Sequence, residues 1–243
     1  MIRPAQRIGA APGGFTFTNA LLVLLAGIFL LEVLLAGSRS LMNGPSPRQL
    51  FDMGGGLGAA IAAGQYWRLF TAMFLHIGIF HILMNGYALS IFGTVVETEQ
   101  GRLRFVVAYL VTGLAASAAS YAFGNPIVVG AGASGAIFGL FGLFLGQAYR
   151  RRNMAFYAAR IRSAMTMILL NAFLAISIPA IDWRAHAGGL VAGAVIGYAG
   201  EGIGRAPTRK AGFTLAVVLV ALAIVGLTIW RTQQLRAGGL VFG

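Results

Sequence analysis

A serine set among small residues, Gly132-Ala133-Ser134-Gly135, stands near the start of one long apolar stretch, and a histidine, Ala185-His186-Ala187-Gly188-Gly189, stands at the start of another. A serine hydroxyl is a weak nucleophile until a neighbouring base takes its proton. An imidazole, whose unperturbed pKa is near neutral, suits that task. Brought together, the two would attack a carbonyl and pass an acyl group through a covalent intermediate. Either alone has a plainer reading, the serine as helix packing and the histidine as a hydrogen-bonded structural group. Together, inside membrane segments where polar groups are costly, they ask for a functional reason. The other two histidines are His76 and His81, and there is no cysteine. Thiol catalysis, disulfides and Cys-ligated metal are therefore excluded. A metal held by three histidines would need a further ligand at their depth, and the sequence supplies none.

The elements that must position these residues are membrane helices. Of 243 residues 58% are hydrophobic and only 10% charged, and mean hydropathy is +0.81. Ordinary soluble domains carry about 25% charge. Apolar runs of bilayer-spanning length recur along the chain, so the expected fold is all-α, a polytopic transmembrane helical bundle. The 35 glycines suit closely packed helices. Runs over 15–37, 69–96, 105–123, 131–149, 163–178, 185–200 and 211–230 predict seven spans. The first is too long, and too poor in a cleavage site, for a removable leader. Glu32, near its end, is expected to reach the interface and is given no role. Residues 38–68 form a long polar, glycine-rich loop. The division is a short segment 1–14, a six-helix core 15–200, a linker 201–210, an additional helix 211–230 and a tail 231–243.

Net charge is +12. The arginines sit in short loops, where they set membrane orientation rather than bind nucleic acid. A cytoplasmic N-terminus places 12 Lys and Arg inside against 6 outside, so that orientation is expected, in a plasma or inner membrane. Counted from the cytoplasmic ends of their helices, Ser134, His186 and His81 then lie about 21–22 Å up, at 1.5 Å per residue. Asn85 lies one turn deeper. Three helices thus deliver polar groups to one depth, a little below the outer surface of a hydrocarbon core about 30 Å thick. Gly189, Gly193 and Gly197 share a stripe with His186, and Gly135, Gly139, Gly142 and Gly146 form one beside Ser134. Two such faces would let the helices approach closely.

These motifs resemble the rhomboid family of intramembrane serine proteases. The match rests on Trp67-Arg68, on His76 followed by His81-Ile82-Leu83-Met84-Asn85, and on Glu97 with Gly101. It continues with Gly132-Ala133-Ser134-Gly135-Ala136-Ile137-Phe138-Gly139 and with Ala185-His186-x-x-Gly189-x-x-x-Gly193, and it covers about 15–200. The resemblance implies a Ser134 nucleophile and a His186 base without a carboxylate, with His81, Asn85 and the Ser134 N–H holding the oxyanion. It implies that Trp67 and Arg68 belong to an outer loop lying partly in the membrane, and that the fifth helix is a lateral gate. The seventh span makes a six-plus-one form. Where some members carry a tyrosine four residues after the serine, this chain has Phe138.

The resemblance therefore predicts a serine endopeptidase that needs no cofactor. It would cut transmembrane protein substrates near the outer ends of their helices, within the lipid bilayer. Such substrates must unwind to expose a peptide bond. The rivals are an inactive relative that binds membrane proteins and, further off, a transporter, for which a repeat architecture is wanting. Asp182, four residues before His186, is expected to be solvated rather than a third catalytic member. Glu97 is expected to anchor the cytoplasmic turn. The Gly54–Gly58 run follows no clear strand, and its glycine spacing does not fit a phosphate cradle.

Overall fold

The computed structural model describes residues 16–152, 161, 181–201 and 206–239. The predicted fifth helix, with the gate assigned to it, lies outside the described residues.

Helix α1 (Phe17–Ala36) begins where the Thr16 hydroxyl caps the Asn19 N–H, and it stops at Gly37, φ 90°. The loop beyond it is not featureless. It holds α2 (Ser40–Asn43), α3 (Pro47–Asp52), strand β1 (Gly56–Leu57), α4 (Gly58–Ala62) and α5 (Arg68–Thr71), the last running into a 3₁₀ turn, Ala72–Phe74. Helix α3 starts on a capping box between Ser46 and Gln49 with Pro47 in its first turn. The glycine run is explained by close approach. A Cβ on Gly55 would lie 2.8 Å from the Leu50 carbonyl oxygen, and one on Gly58 would lie 2.7 Å from Pro126 Cα.

One continuous helix was expected over 69–96, and the structure breaks it. Helix α6 runs Ile79–Gln100, after Gly78 at φ 84°. The reason is local. The His76 N–H donates to the Glu32 carboxylate and the Ile77 N–H donates to the His81 ring. Both donors are thereby withdrawn from the ladder that would have carried the helix through. Gly101, φ 82°, separates α6 from α7 (Arg102–Phe123), so the charged turn expected over 97–104 shrinks to one residue. Strand β2 (Val129–Gly130) pairs antiparallel with β1, Gly56 opposite Gly130. Helices α8 (Ser134–Arg150), α9 (Trp183–Gly200) and α10 (Ala206–Ala237) complete the bundle. The last outruns its predicted 211–230 bounds at both ends.

Among the described residues four helices, Phe17–Ala36, Ile79–Gln100, Arg102–Phe123 and Thr208–Ala237, are long and apolar enough to cross a membrane. Helix α8 lies at the centre, with Leu140 and Leu143 fully buried, and α6, α7 and α9 pack around it. Helix α1 leans on α6, and α10 leans on α7 and α9. Outward, α1 and α10 show leucines such as Leu34 and Leu222, the surface a lipid-facing helix presents. The protein is an integral membrane helical bundle.

At one end of the bundle, which we call the site end, lie the loop 37–78, the β1–β2 pair and the first turns of α6, α8 and α9. At the other end Glu97 accepts hydrogen bonds from the Phe17 and Thr18 N–H groups and the Thr18 hydroxyl, at 2.7–2.8 Å. The expected anchor is thus a helix cap, and Arg102 stands 4.0 Å away. Arg151 pairs with Glu201 at 2.6 Å at this same end.

Candidate active site

Ser134 is the first residue of α8, and His186 lies in the first turn of α9. The His186 Nε2 and the Ser134 Oγ are 2.9 Å apart, within hydrogen-bond reach. The backbones at the start of α8 and α9 come close because glycine lines the seam. A Cβ on Gly189 would collide with the Gly135 carbonyl oxygen, one on Gly193 with that of Gly139, and one on Gly197 with that of Leu143. The α8 glycines divide their work. Gly142 and Gly146 meet α9, whereas Gly135 and Gly139 face Ala116 and Thr112 of α7. The single stripe read from periodicity therefore serves two neighbours. Periodicity places residues on a face but does not say which helix covers it.

Phe138, one turn below Ser134, stacks on the His186 ring with centroids 4.2 Å apart and planes within 10°. The phenyl ring does what a tyrosine ring would do for packing, without the hydroxyl.

His81 reaches the same place from α6, and Asn85 lies one turn further along that helix. The His81 Nδ1 accepts from the Ile77 N–H at 3.2 Å, so the ring carries its proton on Nε2. That Nε2 lies toward Gly132, whose φ of 145° is glycine's domain. A Cβ on Gly132 would sit 3.0 Å from His81 Nε2 and 3.5 Å from Ser134 Oγ. The absent side chain leaves a small space between the two. Asn85 is 6% exposed, and its Nδ2 has no hydrogen-bond partner among the described residues. An unmatched buried donor is costly. The N–H groups of α8's first turn have no partner within their own helix.

Trp67 and Arg68 serve the loop. Arg68 is 4% exposed and donates to the carbonyls of Phe51 and Gly55 at 2.6 and 2.9 Å. Its guanidinium lies over the Phe51 and Trp67 rings. Trp67 itself is half-exposed.

Two residues that the sequence reading left idle belong to the site's frame. Asp182 is not a free solvated carboxylate. It is the N-cap of α9, its Oδ1 accepting from the Arg184 and Ala185 N–H groups at 3.1 and 3.2 Å. The Ser120 hydroxyl of α7 donates to its other oxygen. The signal was available, since an aspartate just before an apolar run marks a helix start. Glu32 does not reach outward from the bundle. It is 2% exposed, and both its oxygens face the His76 N–H, at 3.2 and 3.0 Å. His76, fully buried, is therefore an anchored turn residue rather than a helical one. No metal-holding cluster of histidines and acids occurs among the described residues.

The family described as the Rhomboid domain matches residues 63–201, which hold every residue named above except Glu32, Phe51 and Gly55. The chain belongs to the rhomboid family. Rhomboid protease GluP of Bacillus subtilis is 36% identical over 212 residues, covering 86% of this chain and 39% of that protein. RHOMBOID-like protein 1 of Arabidopsis thaliana is 36% identical over 158 residues, covering 64% of this chain and 40% of that protein. RHOMBOID-like protein 6, mitochondrial, of the same plant is 35% identical over 158 residues and half covered. This rhomboid thus spans about 40% of the length of the first two.

Proposed function

We propose that this rhomboid is an intramembrane serine endopeptidase in which Ser134 is the nucleophile and His186 the general base. The observation that carries the reading is the 2.9 Å approach of His186 Nε2 to Ser134 Oγ at the heads of two closely packed helices. His186 takes the hydroxyl proton as Oγ attacks the scissile carbonyl, then returns it to the leaving amine. The acyl-enzyme is hydrolysed by water activated by the same imidazole. Negative charge develops in the space beside Gly132. In this reading His81 Nε2–H, the Asn85 amide and the Ser134 N–H are the donors that hold it, aided by the positive end of α8. Phe138 holds the imidazole plane.

The substrates are transmembrane proteins whose helices unwind near the site end, because a helix hides its carbonyls. With the N-terminus cytoplasmic, as the arginine distribution favours, that end faces outward, in a plasma or inner membrane. Trp67 and Arg68 then belong to a loop at the outer boundary.

A fluorophosphonate serine probe on detergent-solubilised protein tests the assignment. Label located on Ser134 by mass spectrometry, and absent in His186→Ala, is expected. Folded protein that neither labels nor cleaves a transmembrane reporter in liposomes would leave an inactive family member.

A further inference from the structure

We propose that Glu32 is a positioning residue for the oxyanion side of the site. From α1 it fixes the turn that sets both the place and the tautomer of His81. The inference rests on the protease reading above.

A buried carboxylate is tolerated only when well hydrogen-bonded. Glu32, 2% exposed within an apolar helix, turns both oxygens on one backbone N–H, that of His76. The residue bound is the first of a turn, and the next N–H along, from Ile77, donates to His81 Nδ1 at 3.2 Å. That bond obliges His81 to carry its proton on Nε2, the nitrogen facing Gly132 and Ser134. The chain of contacts therefore runs from α1 through two successive peptide groups to the ring. The rest of the turn has nowhere to go. A Cβ on Gly78 would lie 2.7 Å from the Met42 carbonyl oxygen, and one on Gly44 would lie 2.7 Å from Ile77 Cγ2. The buried His76 ring makes edge contacts with His81, centroids 5.3 Å apart, and with Phe29 of α1 at 6.5 Å. Without Glu32, the His76 N–H is left unmatched in an apolar setting and the turn rotates to satisfy it. His81 then loses the donor that orients it.

The test uses the full chain and four variants: Glu32→Gln, Glu32→Leu, His81→Ala and the Glu32→Leu/His81→Ala double. The readings are the rate of Ser134 labelling by a fluorophosphonate, and kcat and KM on a transmembrane reporter. Glu32→Gln should stay within about threefold of wild type, because its amide oxygen accepts the same N–H. Glu32→Leu should lose about 10- to 100-fold in kcat with KM nearly unchanged. The double variant should be no slower than His81→Ala, because the effect passes through His81. Losses that multiply, full activity in Glu32→Leu, or a loss confined to KM would overturn the proposal. A second reading is independent of whether Glu32→Leu folds: ¹⁵N shifts of the wild-type histidines, with His81 assigned by difference. Protonated Nε2 with unprotonated Nδ1 is expected, and the opposite tautomer would overturn the proposal. Folded wild-type protein that neither labels nor cleaves would instead sink the protease reading, leaving the tautomer to judge Glu32 alone.

Discussion

Ser134 owes its reach to its place as the first residue of α8. Its side chain meets no preceding turn, and the fully buried Ala133 fixes the backbone behind it. Ser134→Ala and His186→Ala are each expected to reduce cleavage by at least about a thousandfold, with unfolding in detergent little changed. A folded variant that still turned over would remove the pair from the mechanism. Phe138→Ala should cost about tenfold in kcat, since a stacked ring contributes about 0.5–1.5 kcal/mol, whereas Phe138→Tyr should be close to neutral. Kinetics on the two variants separate the ring from the hydroxyl. At this scale Ser134, His186, His81 and Asn85 were legible because their motifs belong together, not merely because each interrupts an apolar run. The sequence was silent on Glu32, whose partner is a backbone N–H 44 residues away. Every residue but proline carries that N–H, so no side-chain pattern announces it.

At the scale of elements the site depends on two helices that nearly touch. Gly193 sits against the Gly139 carbonyl, so Gly193→Ala must push α9 away from α8. We expect loss of most activity and a lower unfolding temperature, both worse in Gly193→Val; unchanged labelling of Ser134 would show that the seam tolerates the shift. Asp182 caps the start of the same helix, and removing such a cap costs about 1 kcal/mol. Asp182→Asn keeps a capping oxygen and should retain activity within about tenfold, with modest destabilisation. A thousandfold loss would instead make Asp182 a catalytic partner. Helix identity was legible from hydropathy here, and most helix starts to within three residues, but the start of α6 was not. Residues 69–78 are as apolar as the helix that follows, and only Gly78 and two diverted N–H groups mark the break. The short helices of the loop escaped because each is a turn or two long, below what periodicity resolves.

Across the whole molecule, two peripheral helices are fastened by few but well-placed bonds. Glu97 and Glu32 stitch α1 to the α6 segment at opposite ends. Helix α10, 32 residues and so about 48 Å long, outreaches a hydrocarbon core of about 30 Å. Its far end grips the site-end loops. Tyr121 and Thr232 share a hydrogen bond at 2.8 Å, Arg231 donates to the Gly124 carbonyl at 3.2 Å, and Arg236 donates to that of Ala62 at 2.9 Å. Leu235 packs with Ile61, Leu69 and Tyr121. Arg236→Ala with Tyr121→Phe should speed proteolytic nicking of the 53–67 loop while leaving the α8–α9 seam intact; equal nicking rates would show that the loop stands unaided. The grip also has a clock. Ala62 and Arg236 are 174 residues apart, and a ribosome adds about 5–20 residues per second. For roughly ten to thirty seconds of its own synthesis the chain therefore holds its glycine-rich loop without the helix that clamps it. During that interval the loop depends on whatever else the membrane's insertion machinery offers it.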